Sequence, residues 1–160
     1  MNKEKSNNFK NYSFSGRKSN FDIKLFNKYD IPAREVVNKY FGESVMDNPN
    51  PLAPDLLILD KDSNYKYLEL QVCTKWVNKF PYDNVYIFER KVKYGLDCLF
   101  LVLNRSMTEG YVFDIRSLQF QKPRRIKKYS RDFVFDIPWK SCIKISLEND
   151  LSDDILKYYS

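Results

Sequence analysis

Two strand-like runs on either side of a polar turn constrain this chain more than any other feature in it. Residues 55–60 read DLLILD, residues 61–64 read KDSN, and residues 65–72 read YKYLELQV. Apolar, β-rich runs around such a turn predict a β-hairpin. The rest of the chain is read around it. Residues 21–29 suit a short strand or helix. Pro32 suits the first turn of a helix over AREVVNKYF, with Asp30 or Ile31 in the cap region and Gly42 as its stop. A short extended piece is expected at 44–46, followed by the irregular loop DNPNPLAP at 47–54. Pro81 and Gly95 bracket PYDNVYIFERKVKYG, which predicts a second helix over 82–94. CLFLVL at 98–103 reads as a fully buried strand and 111–115 as another. Residues 133–137 and 141–146 are further strands flanking Pro138, and the tail LSDDILKYYS suits one or two helical turns. The order predicts an α/β fold: a mixed sheet flanked by helices, with extra strands at the C-terminal end. At 160 residues one core is expected rather than two. Residues 1–20 then form a flexible basic arm and 21–160 a single domain.

The chemistry open to such a chain is narrowed by a count of zero histidines. That excludes His-dependent triads, His-relay nucleases, HExxH zinc peptidases and two-His zinc fingers. Any reaction must use carboxylates, Lys, Tyr, hydroxyls, Cys or a metal held by oxygen. The three cysteines, Cys73, Cys98 and Cys142, lie apart in apolar runs and without CxxC spacing. They read as buried free thiols of a reducing, intracellular compartment, cytoplasm or nucleus. No apolar run approaches the roughly 20 residues of a membrane span, and the polar N-terminus lacks the apolar stretch of a secretory signal. Abundant Asn, Lys, Tyr and Ile with four Gly suggest an AT-rich coding genome, a viral one included.

The net charge of +6 is concentrated. Residues 1–20 carry five bases and one acid, and KPRRIKKYSR at 122–131 carries six bases and no acid. Two basic patches on a nearly neutral body are the pattern of polyanion contact, although a solvated loop and tail would look the same.

Asp55 and Glu69 stand out because each interrupts an apolar strand where an isolated charge is costly to bury. Carboxylates that meet across a hairpin repel unless a cation lies between them. Register decides whether they meet. A four-residue loop at 61–64 opposes Asp55 to Leu70 and splits the pair between faces. A loop of 61–63 or 60–64 opposes Asp55 to Glu69, with Gln71 further along the same face. Otherwise Asp55 caps the strand start and Glu69 pairs with a surface lysine.

Pro54-Asp55, a hairpin, and Glu69-Leu70-Gln71, between a Glu-bearing helix and a basic helix followed by a strand, resemble the PD-(D/E)XK nuclease superfamily. The resemblance covers about residues 31–115. It implies a restriction-endonuclease-like αβββαβ core and hydrolysis of phosphodiester bonds in DNA with Mg²⁺ or Mn²⁺. By that resemblance Asp55 and Glu69 are metal ligands, joined by the Leu70 carbonyl. Glu35 matches the helix glutamate, with Glu43 as second choice. Gln71 stands where the family usually has Lys. Lys91 is then the candidate for a lysine that has moved to the second helix, with Lys75 the alternative nearer in sequence. Gln71 is expected to hold the water and metal shell while Lys91 supplies positive charge.

For substrate contact the basic segment offers Arg124, Arg125, Lys127, Lys128 and Arg131, as an exposed loop, while Lys75 and Lys79 follow the Glu69 strand. Trp76 could stack on a base or pack in the core, and Tyr129 could stack among the bases. Three functions stay open: a metal-dependent endonuclease, a non-catalytic nucleic-acid-binding module on the same fold, and a protein-interaction module. A homodimer is compatible with each.

Overall fold

The Pro32 helix forms in the computed structural model, which describes residues 24, 26–118, 122–125, 133–148 and 155–156. A short π-helical turn, Phe26–Asp30, leads into helix α1, Ile31–Phe41. Asp30 makes no side-chain cap. At the other end Gly42 takes φ 58°, a left-handed conformation that glycine adopts without steric cost, and its N–H closes on the Asn38 carbonyl. Ala33, Val37 and Phe41 are buried at helical spacing and form the inner stripe of α1.

Strand β1 is Val45–Asp47, β2 is Leu56–Ile58 and β3 is Tyr67–Val72. Both neighbours of β2 run antiparallel to it. The expected hairpin is therefore present, with strands shorter than 55–59 and 65–72. Its register opposes Leu56 to Leu68 and Leu57 to Tyr67, and the Ile58 N–H donates to the Lys66 carbonyl at 2.9 Å. Extended one residue outward, this odd-loop register sets Asp55 opposite Glu69. Strand β5, Cys98–Leu103, lies parallel to β3 and is buried throughout, as its unbroken apolar run predicts. Strands β6, Glu109–Phe113, and β9, Ile143–Ser146, complete a six-stranded mixed sheet in the order β1-β2-β3-β5-β6-β9.

The second helix expected over 82–94 is absent. Asn84–Phe88 is strand β4, and Glu89–Asp97 is a 3₁₀ run interrupted at Gly95, where φ is 72°. The cause is visible in NVYIF: Val85 and Ile87 alternate inward with period two, and β-branched residues at that spacing pack on a sheet. Strand β4 pairs with β8, Phe133–Pro138, which pairs in turn with β7, Arg124–Arg125, to make a small antiparallel sheet. Part of the basic segment expected as a loop is thus strand. The 111–115 strand also shifts, since a 3₁₀ turn takes Ile115–Leu118.

The six-stranded sheet has a core on each face. Leu68, Leu70, Leu99, Leu101 and Leu103 face α1. Phe100, Val102, Tyr111 and Phe113 meet Val85, Ile87, Phe135 and Ile137 of the small sheet. The architecture is mixed α/β with one regular α-helix of several turns among the described residues. No helix among them is long and apolar enough to cross a membrane. Cys98 is buried, whereas Cys73 and Cys142 are only half-buried, and all three are free thiols. Burial pushes the Cys142 thiol up to about 12. The arm at 1–20 lies outside the described residues, as does the tail except 155–156.

One tight approach yields a stability test. A Cβ at Gly110 would stand 2.7 Å from Leu101 Cδ1 and 2.8 Å from the Val102 carbonyl oxygen. The carbonyl belongs to a sheet ladder and cannot swing away. Gly110→Ala is expected to destabilise the fold by about 1–3 kcal/mol, the range for overpacking a filled core. A denaturant midpoint equal to that of the parent protein would contradict this packing.

Candidate active site

Asp55 and Glu69 meet at the open end of the β2–β3 pair. The Asp55 N–H donates to Glu69 Oε1 at 3.0 Å, and the Leu70 N–H donates to Asp55 Oδ2 at 3.0 Å. Each carboxylate thereby holds the backbone beside the other, which fixes both side chains at the start of the ladder. Two cations complete the cluster. Arg34 Nη2 lies 2.9 Å from Asp55 Oδ1. Lys91 Nζ lies 3.2 Å from Glu69 Oε2 and within 3.5 Å of the Leu70 carbonyl oxygen.

Lys91 therefore reaches the carboxylate pair, as the sequence suggested, although from a 3₁₀ run rather than a second helix. Glu35 does not. It is exposed on α1, and the residue of that helix that faces Asp55 is Arg34. Arg34 flanks the Ala33–Val37–Phe41 stripe, while Glu35 lies about 200° round the helix from Ala33. Gln71 shares a β3 face with Glu69, but its amide Nε2 donates to the Tyr86 carbonyl at 2.8 Å. Its Oε1 is buried without a hydrogen-bond partner. Gln71 is thus tied to β4 through its amide nitrogen.

The electrostatics follow from burial. Only 7% of the Glu69 side chain is exposed, against 21% for Asp55. Burial pushes the Glu69 carboxyl from 4.5 up to about 7; the Lys91 ammonium opposes the shift and the Asp55 charge adds to it. Asp30, at the head of α1, is also raised, by partial desolvation first and by Asp55 second, with Lys91 and Arg34 opposing. Tyr94 feels the same pair: its phenol is raised by burial and then by the charges of Glu69 and Asp55. The sequence offers Asp30 only as a helix cap and gives no role to Arg34 or Tyr94. For Arg34 the signal was its place three residues before Val37 on the helix.

A carboxyl whose folded pKa exceeds its unfolded one binds its proton more tightly in the folded state. Its contribution to stability is present below about pH 4.5 and is lost as pH rises through about 7. In metal-free protein, Glu69→Gln is therefore expected to flatten the fall in stability between about pH 5 and about pH 8. Equal slopes for variant and parent, from denaturant midpoints across that range, would contradict the environment described for Glu69.

The donor set suits a hard divalent cation: two carboxylates and the Leu70 carbonyl that Lys91 already approaches. No group of three His, Cys, Asp or Glu side chains that could hold a metal occurs among the described residues. Asp30 thus does not join the pair as a third ligand.

The residues proposed for substrate contact divide. Lys75 and Lys79 are exposed in the loop after β3. Trp76 is fully buried and stacked on Tyr111 at 5.0 Å, so it belongs to the core. Lys122 is exposed. Arg124 is more than half exposed, with its guanidinium held by Asp136, Nη2 to Oδ1 at 2.9 Å. Lys127, Lys128, Tyr129, Arg131 and the Arg125 side chain lie outside the described residues. No protein-family model matches the chain, and no curated protein matches it.

Proposed function

We propose that the protein is a metal-dependent endonuclease that hydrolyses phosphodiester bonds in DNA, on a restriction-endonuclease-like core. The observation that carries this reading is the Asp55–Glu69 pair at one end of a hairpin, with the Lys91 ammonium on Glu69 and on the Leu70 carbonyl. The element order supports the finer fold assignment. Helix α1 precedes three antiparallel strands, and a crossover leads to the parallel strand β5. In place of the second helix stand β4 and the 3₁₀ run.

Mg²⁺ or Mn²⁺ bound by Asp55, Glu69 and the Leu70 carbonyl would polarise the scissile phosphate and acidify the attacking water. Lys91 holds positive charge beside Glu69, where negative charge grows on the phosphate oxygens. Arg34 orients Asp55. The exposed Lys75 and Lys79 and the basic 122–131 segment bind backbone phosphates, which supply affinity without reading sequence.

One observation favours a second reading, a non-catalytic nucleic-acid-binding or protein-interaction module. All four carboxylate oxygens of the pair already face an N–H or a cation within 3.2 Å. The cluster is electrically complete as an ion-pair network. Incubation with plasmid and with single-stranded DNA in Mg²⁺ or Mn²⁺ separates the readings. Cleavage that a chelator stops is the expected result. Salt-sensitive binding without cleavage would favour a binding module, and neither binding nor cleavage would reject both nucleic-acid readings.

A further inference from the structure

An open groove of about 340 Å³ adjoins the carboxylate pair, lined by Leu52, Ala53, Pro54, Tyr67, Lys93 and Tyr94. Its walls are continuous with the site. Pro54 immediately precedes Asp55. Tyr67 stands two residues before Glu69 on the same face of β3, about 7 Å along the strand. Tyr94 is close enough to Glu69 and Asp55 to feel both charges. At the rim, Lys93 is exposed, with Nζ 5.9 Å from the Tyr94 ring centroid, and Leu52 is 82% exposed.

We propose that this groove seats one unstacked nucleobase of the strand being cut, next to the scissile phosphate, so that the substrate is single-stranded or frayed nucleic acid. The inference rests on the nuclease reading and names its substrate class. A base within a duplex has both faces covered by its neighbours and can meet an aromatic wall only after leaving the stack. The volume lies at the low end for a small-ligand site, which is room for one nucleotide. Two half-buried tyrosines line the groove, and an aromatic side chain is a stacking partner for any base, independent of sequence. The Lys93 ammonium at the rim complements the phosphate that must accompany the base.

The test uses the full chain with DNA carrying 5-iododeoxyuridine, single-stranded or in a duplex, in chelator so that no readout depends on cleavage. Photo-crosslinking to Tyr67 or Tyr94 is expected with the single strand and not with the duplex. Tyr94→Leu should weaken single-strand binding about ten- to a hundredfold, and Tyr94→Phe should retain it. Ala53→Trp fills the groove from a loop outside the core and should have the same effect as Tyr94→Leu. Equal affinity for both forms with no cross-link to either tyrosine would overturn the inference, as would wild-type binding in both Tyr94→Leu and Ala53→Trp. Cleavage indifferent to strandedness and to these variants would overturn the groove and leave the nuclease reading standing. Cross-linking at the tyrosines without cleavage in Mg²⁺ or Mn²⁺ would support the groove and remove the nuclease reading.

Discussion

Asp55→Asn is expected to abolish metal-dependent cleavage while the protein stays folded. The asparagine keeps an oxygen where Asp55 Oδ2 accepts the Leu70 N–H, so the end of the β2–β3 ladder stays pinned. What it loses is the charge. A neutral amide beside Glu69 no longer holds a divalent cation at useful concentration, since hard cations select for ionised oxygen ligands. With that oxygen on the Leu70 N–H, the asparagine NH2 takes the Oδ1 position and faces the Arg34 guanidinium donor to donor, at a cost of about 1–3 kcal/mol. Asp55→Ala should be just as inactive and less stable than the parent, by about 1–3 kcal/mol, because it leaves the Leu70 N–H without that acceptor. The check is cleavage in Mn²⁺ alongside a thermal unfolding curve. Activity within tenfold of the parent in Asp55→Asn would remove Asp55 from the metal site.

Lys91→Met should lower the cleavage rate by about 10²–10³, the scale of removing one preorganised electrostatic stabiliser. Its side chain is 14% exposed and its ammonium is held 3.2 Å from the Glu69 carboxylate, a contact that survives when a cation takes the Leu70 carbonyl. It therefore needs little reorganisation when charge develops on a phosphate beside Glu69. A purely structural lysine would behave differently. Its loss would lower stability as Glu69 takes up a proton, and raising the pH to restore the carboxylate would restore the rate. Adding Gln71→Lys to Lys91→Met supplies a cation from the same face of β3 as Glu69, at the position where the resembled family carries its lysine. Partial recovery of the rate is expected, and a full rate in the single variant Lys91→Met would discard Lys91 as the stabiliser.

The parts of the fold that were legible in the sequence are those where one periodicity acted alone. The short, unbroken apolar run CLFLVL is a strand covered on both faces, and the two runs around KDSN pair as expected. The register could not be read there, because turn residues tolerate loops of three, four or five; the structure sets Leu56 opposite Leu68, the odd-loop register. The second helix failed for a different reason. Pro81 and Gly95 are helix punctuation, yet Val85 and Ile87 alternate between them, and burial against Phe135 and Ile137 decided in favour of a strand. That change alters how Lys91 approaches Glu69 but not its destination, since Lys91 lies only three residues beyond Phe88 at the end of β4. The helix residue at the site is one position away from the expected Glu35, because Arg34 is the one beside the buried stripe. Asp55 and Glu69 were legible because charges inside apolar runs are costly wherever they are buried, whatever the surrounding fold.

Cleavage by the proposed mechanism requires Asp55, Glu69 and the Leu70 carbonyl to form a divalent-cation centre, which a crystal soaked in Mn²⁺ and measured at the manganese absorption edge would reveal. One anomalous peak is expected about 2.0–2.4 Å from an oxygen of each of the three groups, with the Lys91 ammonium displaced from the Leu70 carbonyl. A crystal with no peak between them, and with Lys91 still seated on Glu69 at millimolar Mn²⁺, would contradict it.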